Sequence, residues 1–396
     1  MKIFIAWEFG NHFGHILRQR QIALEMRSRG HEILLAVKDV TLAQRALGED
    51  DFAYVQAPAL PFGLRRHNQE VSNYADILAA GGFAVKGLLQ ALVDAWQTLF
   101  RLYQPDVVLL DYSPAALFAA RLSELPFVMM GTGFEVPPVL SPFPCFRPGA
   151  NLSTARLLKN EESILKIINE ICVEQSRPVF ESLADCVTSG DAVLLTFAEF
   201  DHYPDRKQAR YLGPLFSMDM GAEASWTNKR AKKIFVYIRP NPELIPILEC
   251  LRSMDADVIC VVTNIHPDVQ ARFQTPEFQI FNAPVKLASL IEDCDLVVAH
   301  NGHGLLSACA LCGIPVLGIP TQIEQLLLAD CVTQTGIGLN VSLSEVKGKL
   351  IPALHDLLGN AAFRERSAAL AWRYRSYDQA QVLRTIAEQI EDVACQ

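Results

Sequence analysis

The chain has 396 residues, with 35 Lys and Arg against 44 Asp and Glu, for a formal net charge of −9. Half of it is hydrophobic and a fifth charged, which supplies full-sized cores, excludes global disorder and, at this length, suggests two domains. An acidic chain without long Lys/Arg runs argues against a nucleic-acid partner, and no stretch reaches the roughly 20 apolar residues of a membrane span.

The segment Met1–Trp7 is apolar for too few positions before Glu8 to be a signal-peptide core, and it reads as a buried first strand. A helix-like stretch follows from Gly14 to Arg29, ended by Gly30, and Glu32–Val37 reads as another buried strand. A helix is expected over Gly81–Tyr103, with Trp96 and Phe100 on its core face. Next come a strand at Asp106–Asp111, a helix at Pro114–Leu122 and a strand at Pro126–Met130. Short apolar runs alternating with helices indicate parallel βαβ units covered on both faces.

Residues 132–150 differ. Their prolines forbid regular structure, and Phe134, Phe143 and Phe146 make the segment either a packed apolar loop or a wall of an apolar acceptor pocket. The α/β pattern then returns, with strands expected at Ile234–Ile238, Val258–Val262, Gln279–Phe281, Leu296–Ala299 and Val316–Ile319 and helices at Pro242–Arg252 and Gly304–Leu311. The division expected is an N-terminal domain over 1–215, a linker over 216–233, a C-terminal domain over 234–375 and a helical tail over 376–396. Ten cysteines scattered through mostly apolar runs suggest buried free thiols and a reducing, cytoplasmic location.

No Gly-x-Gly-x-x-Gly follows the first strand, which argues against a dehydrogenase, and neither a P-loop nor a Gly-x-Ser-x-Gly elbow is present. Cys309-x-x-Cys312 lacks a second ligand pair, so no metal is expected. The run Leu296–Ser307 is more informative. A strand ends at Ala299, His300, Asn301, Gly302, His303, Gly304 and Leu305 follow, and a helix begins. Free amides at a helix start favour anions, glycines let a phosphate approach the backbone, and His300 can donate to it. Further on, Glu324 and Gln325 open another helix. Their acceptor and donor groups suit vicinal sugar hydroxyls, although an acid at a helix start is also stabilised by the dipole alone. Arg239, at a strand end, is either a phosphate contact or a solvated arginine.

Together these runs resemble the donor-binding signature of GT-B-fold glycosyltransferases of the UDP-glycosyltransferase and macrolide glycosyltransferase family. Pro284, Leu290, His300, Gly302, Gly304, Gly313, Pro315, Pro320, Gln325, Ala329, Gly336 and Gly338 fall in step with it. Gly14-His15 with Ala23 and Arg29-Gly30-His31 is similar to the family's opening motif, Asp106–Asp111 to the strand ending in its acidic residue, and Tyr211–Leu215 to the turn before its linker. The sequence departs from the pattern at Asn301 (glycine in the family), Leu305 (threonine, with Ser307 a nearby hydroxyl), Glu324 (aspartate), Arg18 (proline) and Arg239-Pro240 (Gly-Ser).

The resemblance implies two doubly wound Rossmann-like domains facing across a cleft, with the C-terminal helix returning to the N-terminal domain. It implies hexosyl transfer, with inversion, from a UDP- or dTDP-sugar to a hydroxyl of a small apolar acceptor, with no tightly bound cofactor. It makes His15 the base and Asp111 its partner, with His12 an alternative base. It assigns the donor phosphates to His300 and the residues from Asn301 to Leu305, the sugar hydroxyls to Glu324 and Gln325, and the nucleotide base to the backbone near Val285. A helix N-terminus disfavours the imidazolium form of His15, and an adjacent carboxylate would orient its ring. The loop Phe62–His67 is expected to rim the acceptor site. His31 fits a structural turn, and His202, His266 and His355 are expected in loops or at the surface. Two other readings remain open at this point: a nucleotide-sugar 2-epimerase, and a catalytically silent GT-B-like partner or activator. The sequence leaves room for a homodimer.

Overall fold

The structure, a computed structural model, describes residues 1–10, 13–61, 71–147, 149–150, 152–188, 191–207 and 209–395. His12 and the loop Phe62–His67 lie outside the described residues. The chain forms two compact units. The first comprises 1–196, 203–215 and 378–396, and the second 197–202 and 216–377.

The first unit is built on a parallel sheet of β1 (Lys2–Trp7), β2 (Glu32–Val37), β3 (Ala53–Gln56), β4 (Val107–Asp111), β5 (Phe127–Gly131), β6 (Val193–Leu194) and β7 (Arg210–Tyr211). The strand order is β3-β2-β1-β4-β5-β6-β7. Its helices are α1 (Phe13–Ser28), α2 (Val40–Leu47), α3 (Tyr74–Leu78), α4 (Lys86–Tyr103), α5 (Pro114–Leu122), α6 (Thr154–Glu174) and α7 (Leu183–Val187). The order reverses between β1 and β4, where Trp7 lies opposite Asp111 in register. Such a switch point leaves a crevice at the carboxyl ends of the strands. Trp96 and Phe100 are core residues as expected, packing edge-on against Phe4.

The helix expected from Gly81 instead begins at Lys86. Gly82 has φ +103°, so the preceding Ala79–Phe83 segment is a separate π-helical turn.

The second unit has its own parallel sheet: β8 (Lys232–Ile238), β9 (Ala256–Val262), β10 (Phe278–Phe281), β11 (Leu296–Ala299), β12 (Val316–Gly318) and β13 (Gly338–Asn340). The order is β10-β9-β8-β11-β12-β13. Side chains alternate along β8, with Ile234, Val236 and Ile238 entering one apolar layer and Phe235 and Tyr237 the other, as a sheet covered on both faces requires. Helices α8 (Leu244–Arg252), α9 (Pro267–Phe273), α10 (Ala288–Ile291), α11 (His303–Cys312), α12 (Ile323–Thr335), α13 (Val346–Gly359) and α14 (Ala361–Arg373) complete it.

The stretch expected as a linker packs on the second unit. Trp226 is buried and donates its indole N–H to the Leu290 carbonyl at 3.1 Å. Ala222 pairs with the segment around Val285. Its few apolar residues are anchors, a pattern too sparse to give a periodicity.

The last helix, α15 (Gln379–Ala394), is capped by Asp378 and belongs to the first unit, where it packs on α1, β4 and β5. Glu391 accepts from His31 Nε2 at 2.9 Å and from Arg29 at 3.0 Å, which gives the Arg29-Gly30-His31 turn its structural role. His202 is 3% exposed. It is therefore a buried residue of the second unit, because the Phe197–His202 segment packs into that unit's core. Among the described residues no single helix is long and apolar enough to cross a membrane.

Candidate active site

In the first unit, β1 and β4 end side by side and α1 starts above them. Asp111, the last residue of β4, is fully buried. His15 Nδ1 lies 3.0 Å from Asp111 Oδ1. Gln19 donates to Oδ2 at 2.8 Å, and Arg18 Nη2 donates to Oδ1 at 2.6 Å. Residues 15, 18 and 19 reach one carboxylate because positions three and four apart share a helix face. Burial alone would raise the Asp111 carboxyl, but the charges of Arg18 and His15 and the hydrogen bonds from His15 and Gln19 outweigh it and hold it well below the usual range. An ionised carboxylate only accepts, so the His15 proton bonding it sits on Nδ1, and Nε2 keeps its lone pair.

The His15 ring is held between aromatic faces. Trp7 stacks on it at 5.4 Å and Tyr112 at 6.2 Å between ring centroids. Gly10 has φ +79°, and a Cβ there would stand 2.3 Å from His15 Nε2. The absence of a side chain at position 10 leaves room on the ring's basic edge.

The segment after β5 supplies a second carboxylate. Glu135, also buried, accepts from the Thr132 amide at 2.7 Å and hydroxyl at 2.9 Å, and its Oε1 lies 3.6 Å from Arg18 Nη2. Ligand atoms of His15, Asp111 and Glu135 lie within 4.8 Å of one another, but the Arg18 guanidinium contacts both carboxylates and supplies their cation. The rings of this segment are buried: Phe134 lies 6.1 Å from Tyr112 and 5.3 Å from Phe146, and Phe143 lies 5.6 Å from Tyr74. The segment is the packed apolar loop of the two alternatives, and through Tyr112 it reaches the His15 ring.

Glu8 follows β1 and caps α5, accepting from the Ala115 and Ala116 amides at 2.9 and 2.8 Å. Burial pushes its carboxyl up to about 8 against those two hydrogen bonds.

In the second unit, β11 ends at Ala299 and α11 begins at His303. Gly302 caps this helix with no side-chain hydrogen bond, and a helix start of this kind is the place in an α/β fold that favours an anion. A Cβ on Gly302 would meet nothing nearer than His300 Nε2 at 3.7 Å; the glycine stands in open space beside the His300 ring. His300 is buried with its ring 5.7 Å from that of Tyr237. Arg239, half-buried after β8, is near enough to Tyr237 to oppose the upward shift that burial gives its phenol.

Asn301 stands at φ +60°, a left-handed conformation that asparagine tolerates better than most residues. Its amide donates to Asn340 Oδ1 at 2.9 Å, packed over Gly318, where a Cβ would lie 2.3 Å from Asn301 Nδ2. The side chain is thus directed into the sheet end. Ser307 is fully buried and donates to the His303 carbonyl at 2.8 Å, so it does not stand in for the hydroxyl lost at Leu305, which packs partly against the core. Gln325 is 3% exposed, and its Oε1 accepts from the Thr321 amide at 2.9 Å and hydroxyl at 3.0 Å. That fixes its carbonyl end and leaves the NH₂ end to donate. Glu324 is in the first turn of α12. Val285 is held by the pairing of Pro284 and Lys286 with Ala222, which Gly221 at φ +119° permits.

Sequence reasoning passed over Glu8, Gly10, Gln19, Glu135, Tyr237, Gly221 and Asn340. The i+4 spacing of Gln19 from His15 is a signal for that residue. Gly10 acts through a positive φ that no local pattern marks, and the others through contacts between distant segments.

The model of the EryCIII-like C-terminal domain, described for an erythromycin biosynthesis protein, matches residues 246–383. A zeaxanthin glucosyltransferase from Pseudescherichia vulneris is 20% identical over 379 residues, 90% of each chain. Among solved structures, the calicheamicin glycosyltransferase CalG4 superposes with a TM-score of 0.74 at 16% identity, covering 100% of this chain and 98% of its own. The spinosyn rhamnosyltransferase SpnG, complexed with spinosyn aglycone, gives 0.71 at 15% identity over 98% of this chain and 100% of its own, and it is also known complexed with thymidine diphosphate. The fold is GT-B, and the resemblance to glycosyltransferases of the macrolide type holds.

Proposed function

From a GT-B chain whose C-terminal half matches the EryCIII-like domain, we propose a glycosyltransferase that moves a sugar from a UDP- or dTDP-sugar to a hydroxyl of a small, largely apolar acceptor, with inversion. The observation that carries this reading is the 3.0 Å pair of His15 Nδ1 and Asp111 Oδ1, two residues from separate elements that together make a base oriented by a buried carboxylate. Similarity to an enzyme named for zeaxanthin and to one complexed with a spinosyn aglycone supports an apolar acceptor, as do the rings beside His15.

In this mechanism His15 Nε2 takes the acceptor hydroxyl proton while Asp111 holds the ring and stabilises the imidazolium. The attacking oxygen bonds to the anomeric carbon as its bond to the leaving diphosphate breaks. His300 and the uncapped α11 amides stabilise the leaving charge. The Gln325 NH₂ donates to a sugar hydroxyl, and Glu324 accepts from another. Arg239 adds a phosphate contact, and the backbone near Val285 receives the base.

The test is release of nucleoside diphosphate from UDP- and dTDP-sugars in the presence of carotenoid and macrolide aglycones, with and without His15→Ala. Acceptor-dependent release that falls at least about a hundredfold in the variant supports the reading. Unchanged release removes His15 from the role of base. Thermal shifts with UDP, dTDP, GDP, CDP and ADP test the donor site separately. A ligand at a hundredfold excess over its Kd adds about 2.7 kcal/mol, whereas no shift with any of the five favours a silent binding protein.

A further inference from the structure

Arg18 is a buried charged group in the first unit that the base mechanism does not use. Its side chain is 4% exposed, and one terminal nitrogen, Nη2, lies 2.6 Å from Asp111 Oδ1, 3.1 Å from His15 Nδ1 and 3.6 Å from Glu135 Oε1. A guanidinium only donates. With the His15 proton on Nδ1, the 3.1 Å approach is therefore two donors converging on one carboxylate oxygen. Arg18 and His15 share Asp111 Oδ1, and Glu135 offers the same guanidinium nitrogen a second carboxylate.

We propose that Arg18 is a positioning residue of the His15–Asp111 pair, its guanidinium bridging Asp111 to Glu135 so that the segment carrying the apolar wall is tied to the proposed base. The inference deepens the glycosyltransferase reading and rests on it for its meaning in catalysis. The geometry on both sides of the bridge is built for it. Glu135 is fixed by two hydrogen bonds from Thr132. A Cβ on Gly131 would come within 3.0 Å of the Glu135 carboxylate and of Val136. Tyr74 donates its hydroxyl to the Glu135 carbonyl at 3.3 Å. Phe134 adjoins Glu135 and packs on Tyr112, which faces the His15 ring. A ligand that moves this wall moves the Glu135 carboxylate, and so the fraction of Arg18 left to compete for Asp111.

Arg18 and Glu135 have opposite signs, and this separates the bridge from simple packing. Among the described residues, the charged and titratable groups around His15 are Arg18 from α1, Asp111 from β4, Tyr112 just after it and Glu135 after β5; Tyr74 of α3 reaches Glu135, and the Glu8 carboxyl acts on Tyr74. Removing the cation stabilises the imidazolium, and removing the Glu135 anion destabilises it. The two variants therefore move the His15 titration in opposite directions.

The experiment is an NMR titration of the His15 ring in the full chain without ligand, with turnover of UDP- and dTDP-sugars measured in parallel. Arg18→Met is expected to raise the His15 midpoint by about one pH unit and Glu135→Gln to lower it by about half a unit. Arg18→Lys, which keeps the charge but not the planar fork, is expected to stay within about 0.3 units of the parent. Midpoints that do not move, or that move in the same direction in Arg18→Met and Glu135→Gln, overturn the proposal. Should Arg18→Met not fold, Glu135→Gln decides alone: a fall in the midpoint supports the bridge, and its absence refutes it. Full turnover in His15→Ala would refute the base assignment, while the ring titration still reports on Arg18 independently.

Discussion

Asp111→Asn is the substitution that asks most of this structure. The parent carboxylate is fully buried and receives His15, Arg18 and Gln19 at 3.0, 2.6 and 2.8 Å. An asparagine keeps the shape but has one acceptor oxygen for three donors and adds an NH₂ that faces at least one of them. Arg18 loses the 2.6 Å ion pair and keeps the 3.6 Å contact with Glu135. Breaking a buried pair by removing one partner costs about 3–5 kcal/mol; the surviving Glu135 contact places the expected loss near the lower end, about 3 kcal/mol. The pH dependence follows from the depressed Asp111 value. A carboxyl lowered on folding contributes stability that is present above its unfolded value, near about 4, and is lost as pH falls through the folded value. The stability difference between parent and variant should therefore be largest near neutrality and shrink below about pH 4. The assays are urea denaturation across that range and nucleoside diphosphate release at pH 7. With the ring no longer held in its tautomer, turnover should fall by at least about a hundredfold. A loss under about 1 kcal/mol at neutral pH, or a difference that grows toward acid, would refute the buried-pair reasoning.

The remaining predictions probe single contacts. Gly10→Ala places a Cβ 2.3 Å from His15 Nε2 at φ +79°, so turnover should fall at least about tenfold with a stability cost of about 1–2 kcal/mol; full activity in a folded variant would show that the ring edge is not crowded there. Glu8 is raised on folding to about 8, so its favourable contribution is complete below about 4.5 and is lost as pH rises through 8. Glu8→Gln should therefore flatten the decline in stability across that window in denaturant titrations, and an unchanged slope would contradict the assignment. Asn301→Gly should keep nucleotide-induced thermal shifts, while Asn301→Val should lose about 1–2 kcal/mol of stability because a β-branched residue fits φ +60° poorly.

Much of the fold was legible because buried parallel strands write themselves as short apolar runs. Lys2–Trp7, Glu32–Val37 and Leu296–Ala299 were each visible in this way. The shortest strands, Val193–Leu194 and Arg210–Tyr211, hold too few residues for any period to show. The start of α4 was misplaced because a glycine inside an apolar stretch does not announce its backbone angle. The segment from Phe216 to Trp226 looked like a linker because its anchoring residues are separated by polar ones. Two residues of the candidate site, His15 and Asp111, could be named because each sits in a recognisable local motif. Glu135 could not, since its role exists only once distant segments meet, and Gly10 could not because nothing around it announces its backbone angle.

The departures from the family pattern sort by what each position must supply. At 301 the chain needs a left-handed backbone, and asparagine provides it while turning its side chain toward Asn340, so the glycine could be replaced without filling the cradle. At 305 a side-chain hydroxyl is lost and Ser307 does not restore it, which leaves the proposed phosphate contacts to His300, Arg239 and the backbone amides of α11. The change at 18 is of another kind. It places a cation against the proposed base where the family pattern has a proline with no charge, and that buried guanidinium is met by the carboxylates of Asp111 and Glu135. Glu135 and Arg18 therefore have to be considered as one unit. Losing either residue changes the charge beside His15 by one unit, even though Arg18 would keep Asp111 and Glu135 its bonds from Thr132, so a chain that carries one without the other should be mis-tuned at His15.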